Sequence, residues 1–203
     1  PQLSIVDLVH AVDPAWDFVS STMAIAGQID IRVVISEGGR KRLLGAGIPP
    51  EKIRLIRNGI DLERFRPVAD RGSKKILFAG RLDPVKRPAL LADIAVELWR
   101  LRPAKDYRFL VAGDGPEAGA LRSRVARAGV EALFTMLGMV EDMPPLLAEA
   151  DVVVVPSQAE GIPLIVLEAF AVGRPVVCAR AGAAAEAVDA ETGVLIDPGP
   201  QEA

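Results

Sequence analysis

Short, wholly apolar segments alternate along this chain with longer segments in which apolar residues recur every three or four positions. Val152 to Val155 form one apolar segment, and the lack of polar alternation is typical of a strand buried on both faces of a parallel sheet. In the segment 88–102, Leu91, Ile94 and Leu98 fall on one stripe, which indicates a helix that covers a sheet face. The regular alternation predicts an α/β fold, a doubly wound sandwich around a parallel sheet.

The alternation falls into two series. The first predicts strands at 5–9, 31–35 and 53–56, a helix at 15–26, and a helix that ends near residue 46 and takes Ser36 as its N-cap. Strands of the second series are predicted at 76–79, 108–112, 134–137, 152–155, 175–179 and 194–196. Helices of the second series are predicted at 88–102, 116–128, 143–150, 164–172 and 184–188.

The irregular stretch 58–71 separates the two series. It opens with the turn signal Asn58-Gly59, contains Pro67 and ends before Gly72. The sequence therefore predicts a boundary here, with one unit at 1–57, a linker at 58–71 and a second unit at 72–203. Because the chain starts without methionine and stops where another helix is expected, we expect it to be a fragment truncated at its end.

Composition excludes several classes of protein. With 27 acidic and 24 basic residues the formal net charge is −3, so no overall field favours nucleic acid. The single cysteine, Cys178, excludes an intramolecular disulfide framework and is best read as a small buried hydrophobic residue. No apolar run reaches the roughly 18 residues that a membrane span needs. We expect a cytoplasmic protein, and a peripheral contact with the inner membrane face stays open.

The most informative segment follows the strand 152–155. It holds Glu160 and Glu168, and between them Pro163, which suits the first position of a helix. The amides of Leu164 to Val166 are predicted to be unpaired donors at the positive end of the helix dipole, which is a ready phosphate site. Two carboxylates beside an anion site suggest a ligand with hydroxyls and phosphates, such as a sugar nucleotide.

Two glycine-containing loops follow other strands of the second series. In the loop 80–87, Gly80 allows close backbone approach, and Arg81 and Lys86 are suited to clamp a diphosphate, although both residue types are common on surfaces. The loop 113–118 fits the G-x-G-x-x-A fingerprint of dinucleotide binding. The acidic residue that should end the next strand is missing, so a tight turn around Asp114 is the better interpretation.

Other candidate residues carry less information. His10, the only histidine, ends a strand of the first series, and neither cysteines nor carboxylates surround it at metal-ligand spacing. Glu186 follows Arg180 on a predicted short helix, where it is either a site residue or an acid that suits the helix dipole.

Together these motifs resemble the group 1 retaining glycosyltransferases, family 4 of the GT-B fold. The resemblance rests on an ordered set between residues 58 and 199: Asn58-Gly59-Ile60-Asp61, Gly80-Arg81-Leu82 with Lys86, Gly113-Asp114-Gly115-Pro116, Ala150-Asp151, Pro156-Ser157, Glu160-Gly161 with Glu168-Ala169, Gly173-Arg174-Pro175 and Thr192-Gly193. It implies that 72–203 is a Rossmann-like donor-binding lobe and that 1–57 is the last part of the acceptor lobe.

The resemblance also implies roles for the matched residues. Arg81 and Lys86, with the amides of Leu164 and Ile165, would neutralise the diphosphate of a UDP-, GDP- or ADP-sugar. Glu160 would hold hydroxyls of the donor sugar and Glu168 those of the ribose.

Further implied contacts complete this donor site. Gly80 and Gly161 would lie against the donor, and His10 would contact its sugar from the other lobe. The implied reaction retains the anomeric configuration and needs no bound metal or cofactor.

Alternatives stay open at this point. The chain could be a non-catalytic nucleotide-sugar-binding module or a sugar-nucleotide epimerase of the same fold, and a nicotinamide dehydrogenase ranks last. The acceptor, a saccharide or a lipid, is unknown, and the resemblance puts most of its site upstream of Pro1. Pro163 stands where many relatives have glycine. We expect the chain by itself to be catalytically inactive.

Overall fold

The computed structural model of the protein describes residues 4–10, 26–69, 72–103 and 106–199. Its strands, in chain order, are β1 Val6–Val9, β2 Ile31–Val34, β3 Ile53–Leu55, β4 Lys75–Ala79, β5 Arg108–Ala112, β6 Phe134–Gly138, β7 Val152–Val155, β8 Val176–Ala179 and β9 Gly193–Ile196. Its α-helices are α1 Glu37–Gly45, α2 Leu90–Leu101, α3 Ala118–Ala128, α4 Met143–Glu149 and α5 Leu164–Ala171. Short 3₁₀ helices lie at Ala26–Gln28, Pro50–Lys52, Pro84–Lys86, Glu131–Leu133 and Gly182–Glu186.

The strands form two parallel sheets. The small sheet has the order β1-β2-β3, and the large sheet has the order β6-β5-β4-β7-β8-β9. In the large sheet the chain winds outward from β4 to β6, then crosses back to place β7 beside β4. This reversal is a topological switch point, where the loops that leave two neighbouring strands diverge and open a crevice.

Apolar side chains cover both faces of the large sheet. Along β7, Val153 and Val155 pack with α4 and α5, whereas Val154 packs with α2 and α3 on the opposite face. All three are at most 6% exposed. The uniform valine strand is therefore buried on both sides, which confirms the predicted doubly wound α/β fold.

Most predicted elements match the observed ones within two residues. One element differs in type, because residues 182–186 form a 3₁₀ helix in place of the α-helix predicted at 184–188. The Ala184 amide donates to the Ala181 carbonyl and the Ala187 amide to the Ala184 carbonyl, each three residues back, which is the 3₁₀ pattern. The helix predicted at 15–26 lies outside the described residues apart from its last residue.

The segment between the two sheets is anchored to the large one. Phe65 is 5% exposed and belongs to the core beneath α4 and α5, and the Val68 amide donates to the Val172 carbonyl. The lobe boundary at 58–71 stays a prediction. None of the described helices combines the length and apolarity needed to cross a bilayer.

Candidate functional site

A cavity of about 280 Å³ opens at the switch point, between the loop that follows β4 and the loop that follows β7. Parallel strands direct their carboxyl ends to one edge of the sheet, so residues far apart in sequence meet there. The predicted site residues that line this cavity are Gly80, Arg81, Lys86, Glu160, Leu164 and Ile165. The structure thus brings the predicted cations, one predicted carboxylate and the start of α5 together.

Lys86 and Glu160 form an ion pair inside the cavity. The Lys86 Nζ lies 2.5 Å from Glu160 Oε1, and the Glu160 side chain is only 9% exposed. Asp83 fixes the local backbone, because its carboxylate accepts from the Lys86 amide at the start of the 3₁₀ helix. A carboxylate this buried needs a partner, and Lys86 supplies it.

Arg81 is held much more loosely. Its side chain is 73% exposed, and its Nε lies 3.9 Å from the Asp83 carboxylate, too far for a hydrogen bond. An exposed ion pair of this length contributes little to stability. The guanidinium therefore remains available to a phosphate, which it can bind in bidentate fashion.

The amino end of α5 points unpaired donors at the same space. Pro163 is the N-cap rather than the predicted first helical residue, and the amides of Leu164 and Ile165 have no hydrogen-bond partner among the described residues. The expectation of three free amides was wrong for Val166, because its N–H donates to the Pro163 carbonyl at 3.1 Å. This 3₁₀-type bond tightens the first turn and leaves two amides for an anion.

Ser157 is a cavity residue to which the sequence reasoning assigned no role. It lines the same space, is 1% exposed, and its hydroxyl has no hydrogen-bond partner within the described part of the chain. A buried hydroxyl without a partner costs free energy, so Ser157 is a candidate to hydrogen-bond a ligand in this cavity. The available signal was its place directly after Pro156 at the end of a buried strand.

The glycines of the loop 113–115 serve loop packing. A Cβ at Gly113 would lie 1.9 Å from the Gly80 carbonyl oxygen, and one at Gly115 would lie 2.4 Å from that of Leu82. The Leu82 amide also donates to the Asp114 carbonyl. The fingerprint therefore reflects two loops pressed together, in keeping with the tight turn preferred from sequence.

A second cavity adjoins the first beside these packed loops. It measures about 490 Å³ and shares Gly80 and Arg81 with the smaller one. Its apolar lining comes from Met139, Val140 and Met143.

Glu168 stands apart from the cavity lined by Glu160. Burial raises the pKa of its carboxyl above the ordinary value, and the nearby Arg64 guanidinium opposes that rise. Arg64 itself donates to the Glu141 carbonyl and the Asp142 carboxylate. No local pattern predicts that Arg64 comes close to Glu168, because 104 positions separate them in the chain.

His10 reaches the site through its backbone. A Cβ at Gly161 would lie 2.5 Å from the His10 carbonyl oxygen and 3.0 Å from Ile35 Cδ1, so only glycine allows this approach. His10 is exposed at the end of β1. The structure thus brings both predicted residues, His10 and Gly161, into close backbone contact, although neither lines the cavity beside Glu160.

The remaining candidates separate clearly. Cys178 is fully buried in β8, where burial and then the Glu160 charge raise the pKa of the thiol to about 11, which confirms its interpretation as a small core residue. The carboxylate of Glu186 accepts hydrogen bonds from the amides of Glu37 and Gly38, across the junction of the sheets. The described residues contain no cluster of three or more histidine, cysteine or acidic side chains suited to a metal ion.

A larger cavity, of about 630 Å³, lies elsewhere. It runs along the face of the large sheet beside α2 and is lined by apolar side chains such as Ile94, Leu98 and Val177. None of the predicted site residues lines it. Its size alone therefore does not make it the candidate site.

Known proteins resemble this chain in sequence. The family model described as Glycosyl transferases group 1 matches residues 73–203. A D-inositol 3-phosphate glycosyltransferase of Thermomonospora curvata is 33% identical over 213 residues, which cover 91% of this chain and 49% of the relative. The protein of the same name from Frankia alni is 36% identical over 167 residues, which cover 72% of this chain and 41% of the relative. The chain spans half or less of these curated relatives.

Solved structures share the architecture. The crystal structure of Anabaena HepE in complex with UDP superposes with a TM-score of 0.82 at 23% identity, covering 97% of this chain and 59% of that one. A second crystal structure of the same protein, which holds UDP-glucose, matches equally well at 24% identity. At such identities the likeness establishes the fold.

Proposed function

Because the chain belongs to the group 1 glycosyltransferases, we propose that it forms the donor-binding part of an enzyme that transfers a sugar from a nucleoside diphosphate sugar with retention of anomeric configuration. The acceptor would be a saccharide or a lipid. We place the complete enzyme in the cytoplasm, with a peripheral contact at the inner membrane face as part of the proposal. No bound metal or cofactor is needed in this scheme.

One observation carries the proposal. At the switch point, a single cavity gathers Arg81, Lys86, the Ser157 hydroxyl, the Glu160 carboxylate and the first amides of α5. Cations and free amides are the groups that bind phosphate, and a buried carboxylate is the acceptor that sugar hydroxyls seek. A ligand that carries phosphates next to sugar hydroxyls would bind the cations, the amides and the carboxylate of this cavity together.

The phosphate-binding groups would act mainly on the leaving group. As the bond between the anomeric carbon and the diphosphate oxygen breaks, the electron pair moves to the diphosphate and the sugar acquires oxocarbenium character. The acceptor hydroxyl oxygen would form the new bond to the anomeric carbon and give its proton to the departing diphosphate. Arg81, Lys86 and the amides of Leu164 and Ile165 would stabilise that developing charge. Preorganised electrostatic stabilisation of this kind is usually the largest contribution to catalysis.

The carboxylates would hold the two sugars of the donor. When the diphosphate engages Lys86, Glu160 exchanges part of its ion pair for hydrogen bonds from donor-sugar hydroxyls, so neither charge is left unpaired. Glu168 would accept from the ribose hydroxyls. Gly80 and Gly161 would allow the backbone to approach the donor, and His10 would contact the sugar from the small-sheet side.

We infer that the donor base is uracil. This inference rests on the UDP and UDP-glucose complexes of the structural neighbour HepE. In this chain the cavity of about 490 Å³ beside Gly80 and Arg81 offers the apolar side chains of Met139, Val140 and Met143 to a planar base.

Thermal unfolding of the complete protein with UDP, GDP, ADP, their common sugar conjugates and NAD tests the proposal. A ligand at 100 times its Kd adds about 2.7 kcal/mol to the free energy of unfolding, which gives a visible shift of Tm. We expect the shift with UDP or a UDP-sugar. It should disappear in Arg81→Ala and persist in Arg122→Ala, a control on the exposed face of α3.

Each other outcome has a defined meaning. A shift with NAD alone, or with no member of the panel, contradicts the donor site. If the ligand still raises the Tm of Arg81→Ala by the same amount, Arg81 does not have the role proposed for it. Donor binding without sugar transfer to any acceptor favours a non-catalytic module, and an epimerised sugar nucleotide recovered without acceptor favours the epimerase.

A further inference from the structure

Glu186 makes an unusual contact across the junction between the two sheets. It lies at the end of the 3₁₀ helix Gly182–Glu186, after β8 of the large sheet. Its Oε2 accepts from the Glu37 amide at 2.9 Å and its Oε1 from the Gly38 amide at 2.8 Å. These two amides open α1, the helix that packs on the small sheet. One carboxylate thus caps a helix that starts 149 residues earlier.

This cap complements one that α1 makes for itself. The Ser36 hydroxyl accepts from the Gly39 amide at 3.0 Å, which is the ordinary local N-cap. Glu186 takes the two preceding amides, so three unpaired donors of the first turn are satisfied from two different parts of the chain. The negative charge also lies at the positive end of the helix dipole, and the Arg57 guanidinium lies 3.6 Å from the same carboxylate.

The segment that carries Glu186 is fastened to the candidate site. The Ala183 amide donates to the Glu160 carbonyl at 3.0 Å, and a Cβ at Gly182 would lie 2.1 Å from that oxygen. Ala183 and Ala184 are buried, so the short helix is not free to move by itself. A continuous set of contacts therefore runs from α1 through Glu186 to the residue whose carboxylate pairs with Lys86.

Two further contacts fix the same edge of the junction. The Asn58 side chain donates to the Ile162 carbonyl at 3.4 Å, and Gly161 lies against the His10 carbonyl. These contacts join one residue of the linker, Asn58, and one of the first series, His10, to the loop between Glu160 and α5. Several contacts across the junction of the two sheets therefore converge near that loop. Among the described residues, Glu186 makes the only one of these contacts in which a charged side chain binds two groups at once.

We propose that Glu186 is a positioning residue for glycosyl transfer: its carboxylate locks α1 against the large sheet and so sets the distance between His10 and Glu160. This inference rests on the proposed function for its kinetic consequence and on the geometry alone for its structural one. The phosphate-binding groups all lie on the large sheet, so loss of the lock would impair turnover more than donor binding.

The experiment compares Glu186→Ala, Glu186→Gln and Ser36→Ala in the complete protein. Nitroxide labels are placed at two exposed positions, Lys41→Cys in α1 and Arg122→Cys in α3. Double electron–electron resonance between them reports the distance between the two sheets. Cys178 is fully buried in β8, so we expect it not to react with the label. The kcat for the donor and the Kd for UDP are measured on the same variants.

We expect Glu186→Ala to broaden the distance distribution and to lower kcat about 10- to 100-fold, as a misplacement of about 1 Å does. The Kd for UDP should change less than about threefold, because the variant spares the groups that bind both ground and transition states. Glu186→Gln should be intermediate, since its one carbonyl oxygen can serve one amide. Ser36→Ala removes only the local cap and should leave distance and kcat near those of wild type.

Several results would overturn the proposal. A wild-type distance distribution in Glu186→Ala does so whatever the turnover, and so does a Ser36→Ala variant that reproduces the loss. If Glu186→Ala does not fold, Glu186→Gln decides by the same two readouts. Failure of the proposed function is recognised separately, because the wild type would then transfer no sugar while the distance measurement still reports on the lock.

Discussion

The two ends of the large sheet use their polar residues in opposite ways. At the amino ends of the strands, the side chains of Asp151 and Arg174 form hydrogen bonds mainly with backbone groups. At the carboxyl ends, Arg81 is exposed, Lys86 is paired only with Glu160, and Ser157 has no partner among the described residues. The same sheet therefore has one end whose polar side chains are satisfied within the protein and one end whose polar side chains retain hydrogen-bonding capacity.

The satisfied end is built from a few repeated contacts. The Asp151 carboxylate accepts from the Ser73 and Lys75 amides and from the Ser73 hydroxyl at 2.9–3.1 Å. Arg174 is 4% exposed and donates to the carbonyls of Ala69, Leu147 and Ala148. These bonds tie β4, β7 and β8 to α4. We conclude that the polar residues at this end hold the structure together, and we propose that those at the other end bind the donor.

The largest expected effect is on catalysis at the unsatisfied end. Arg81→Ala in the complete enzyme should lower kcat by roughly 10²–10³, as loss of one charge-stabilising donor does. Its free energy of unfolding should stay within about 0.5 kcal/mol of wild type, because the side chain is 73% exposed. Lys86→Ala should lower kcat to a similar extent. Steady-state kinetics and urea unfolding measure both quantities.

Near-wild-type turnover in either variant would contradict the roles proposed for these cations. Lys75→Ala is the matched control at the other end of β4, where the ammonium pairs with Glu149 2.6 Å away. This variant should retain full kcat.

The next effect is on stability at the satisfied end. Arg174→Met keeps the apolar stem but removes the guanidinium donors, so the carbonyls of Ala69, Leu147 and Ala148 lose this partner. We expect the free energy of unfolding to fall by about 2–3 kcal/mol, while kcat per folded molecule stays unchanged. Urea unfolding and active-site-normalised kinetics measure the two. A drop in kcat without a drop in stability would mean that the two ends are not separate in function.

The smallest expected effect is on the stability of the protein at low pH. Burial by itself would raise the pKa of Asp151, but hydrogen bonds from Lys75 and Ser73 outweigh it and hold the pKa below the ordinary 3.8. The unfolded chain therefore binds this proton first as the pH falls. The stabilisation is complete above about pH 4 and is lost as the pH drops through the lower folded pKa.

Asp151→Asn should make the acid-side decline in stability shallower, as thermal unfolding between pH 5 and pH 2 would show. Asp197→Asn is the control, since that side chain is 94% exposed and the described structure gives it no bond to a backbone amide. If stability declines with pH as steeply in Asp151→Asn as in wild type, the hydrogen bonds of Asp151 do not stabilise the protein by lowering the pKa of this carboxyl.

Much of the fold follows from the sequence alone. The all-valine segment 152–155 has to be buried on both faces, and Ser36 was recognisable as the N-cap of α1 because a short side-chain oxygen precedes a helical pattern. The glycines at 113 and 115 were recognised as a turn rather than a nucleotide fingerprint. The predicted helix type was wrong only at 184–188, where the Ala183 amide just before the segment bonds to the Glu160 carbonyl, a tertiary contact that local sequence does not reveal.

The candidate site was predictable as a set of residues but not as an arrangement. Loops after buried strands are where ligands bind, so Arg81, Lys86 and Glu160 could be selected one by one. Their pairing could not, because the Lys86–Glu160 contact joins positions 74 residues apart. Ser157 could not be distinguished from an ordinary turn serine, since its burial depends on neighbours from other strands.

The sequence by itself determined which segments are strands, which are helices, and which loops carry cations or carboxylates, because periodicity and turn chemistry are local. Only the tertiary structure decided that β7 lies beside β4, which turns two separate loops into one cavity. It also decided that Glu186 caps α1 and that Arg174 holds the opposite end of the sheet. The physical reason is the same in each case: burial and hydrogen-bond partners are properties of the neighbours that the fold brings together.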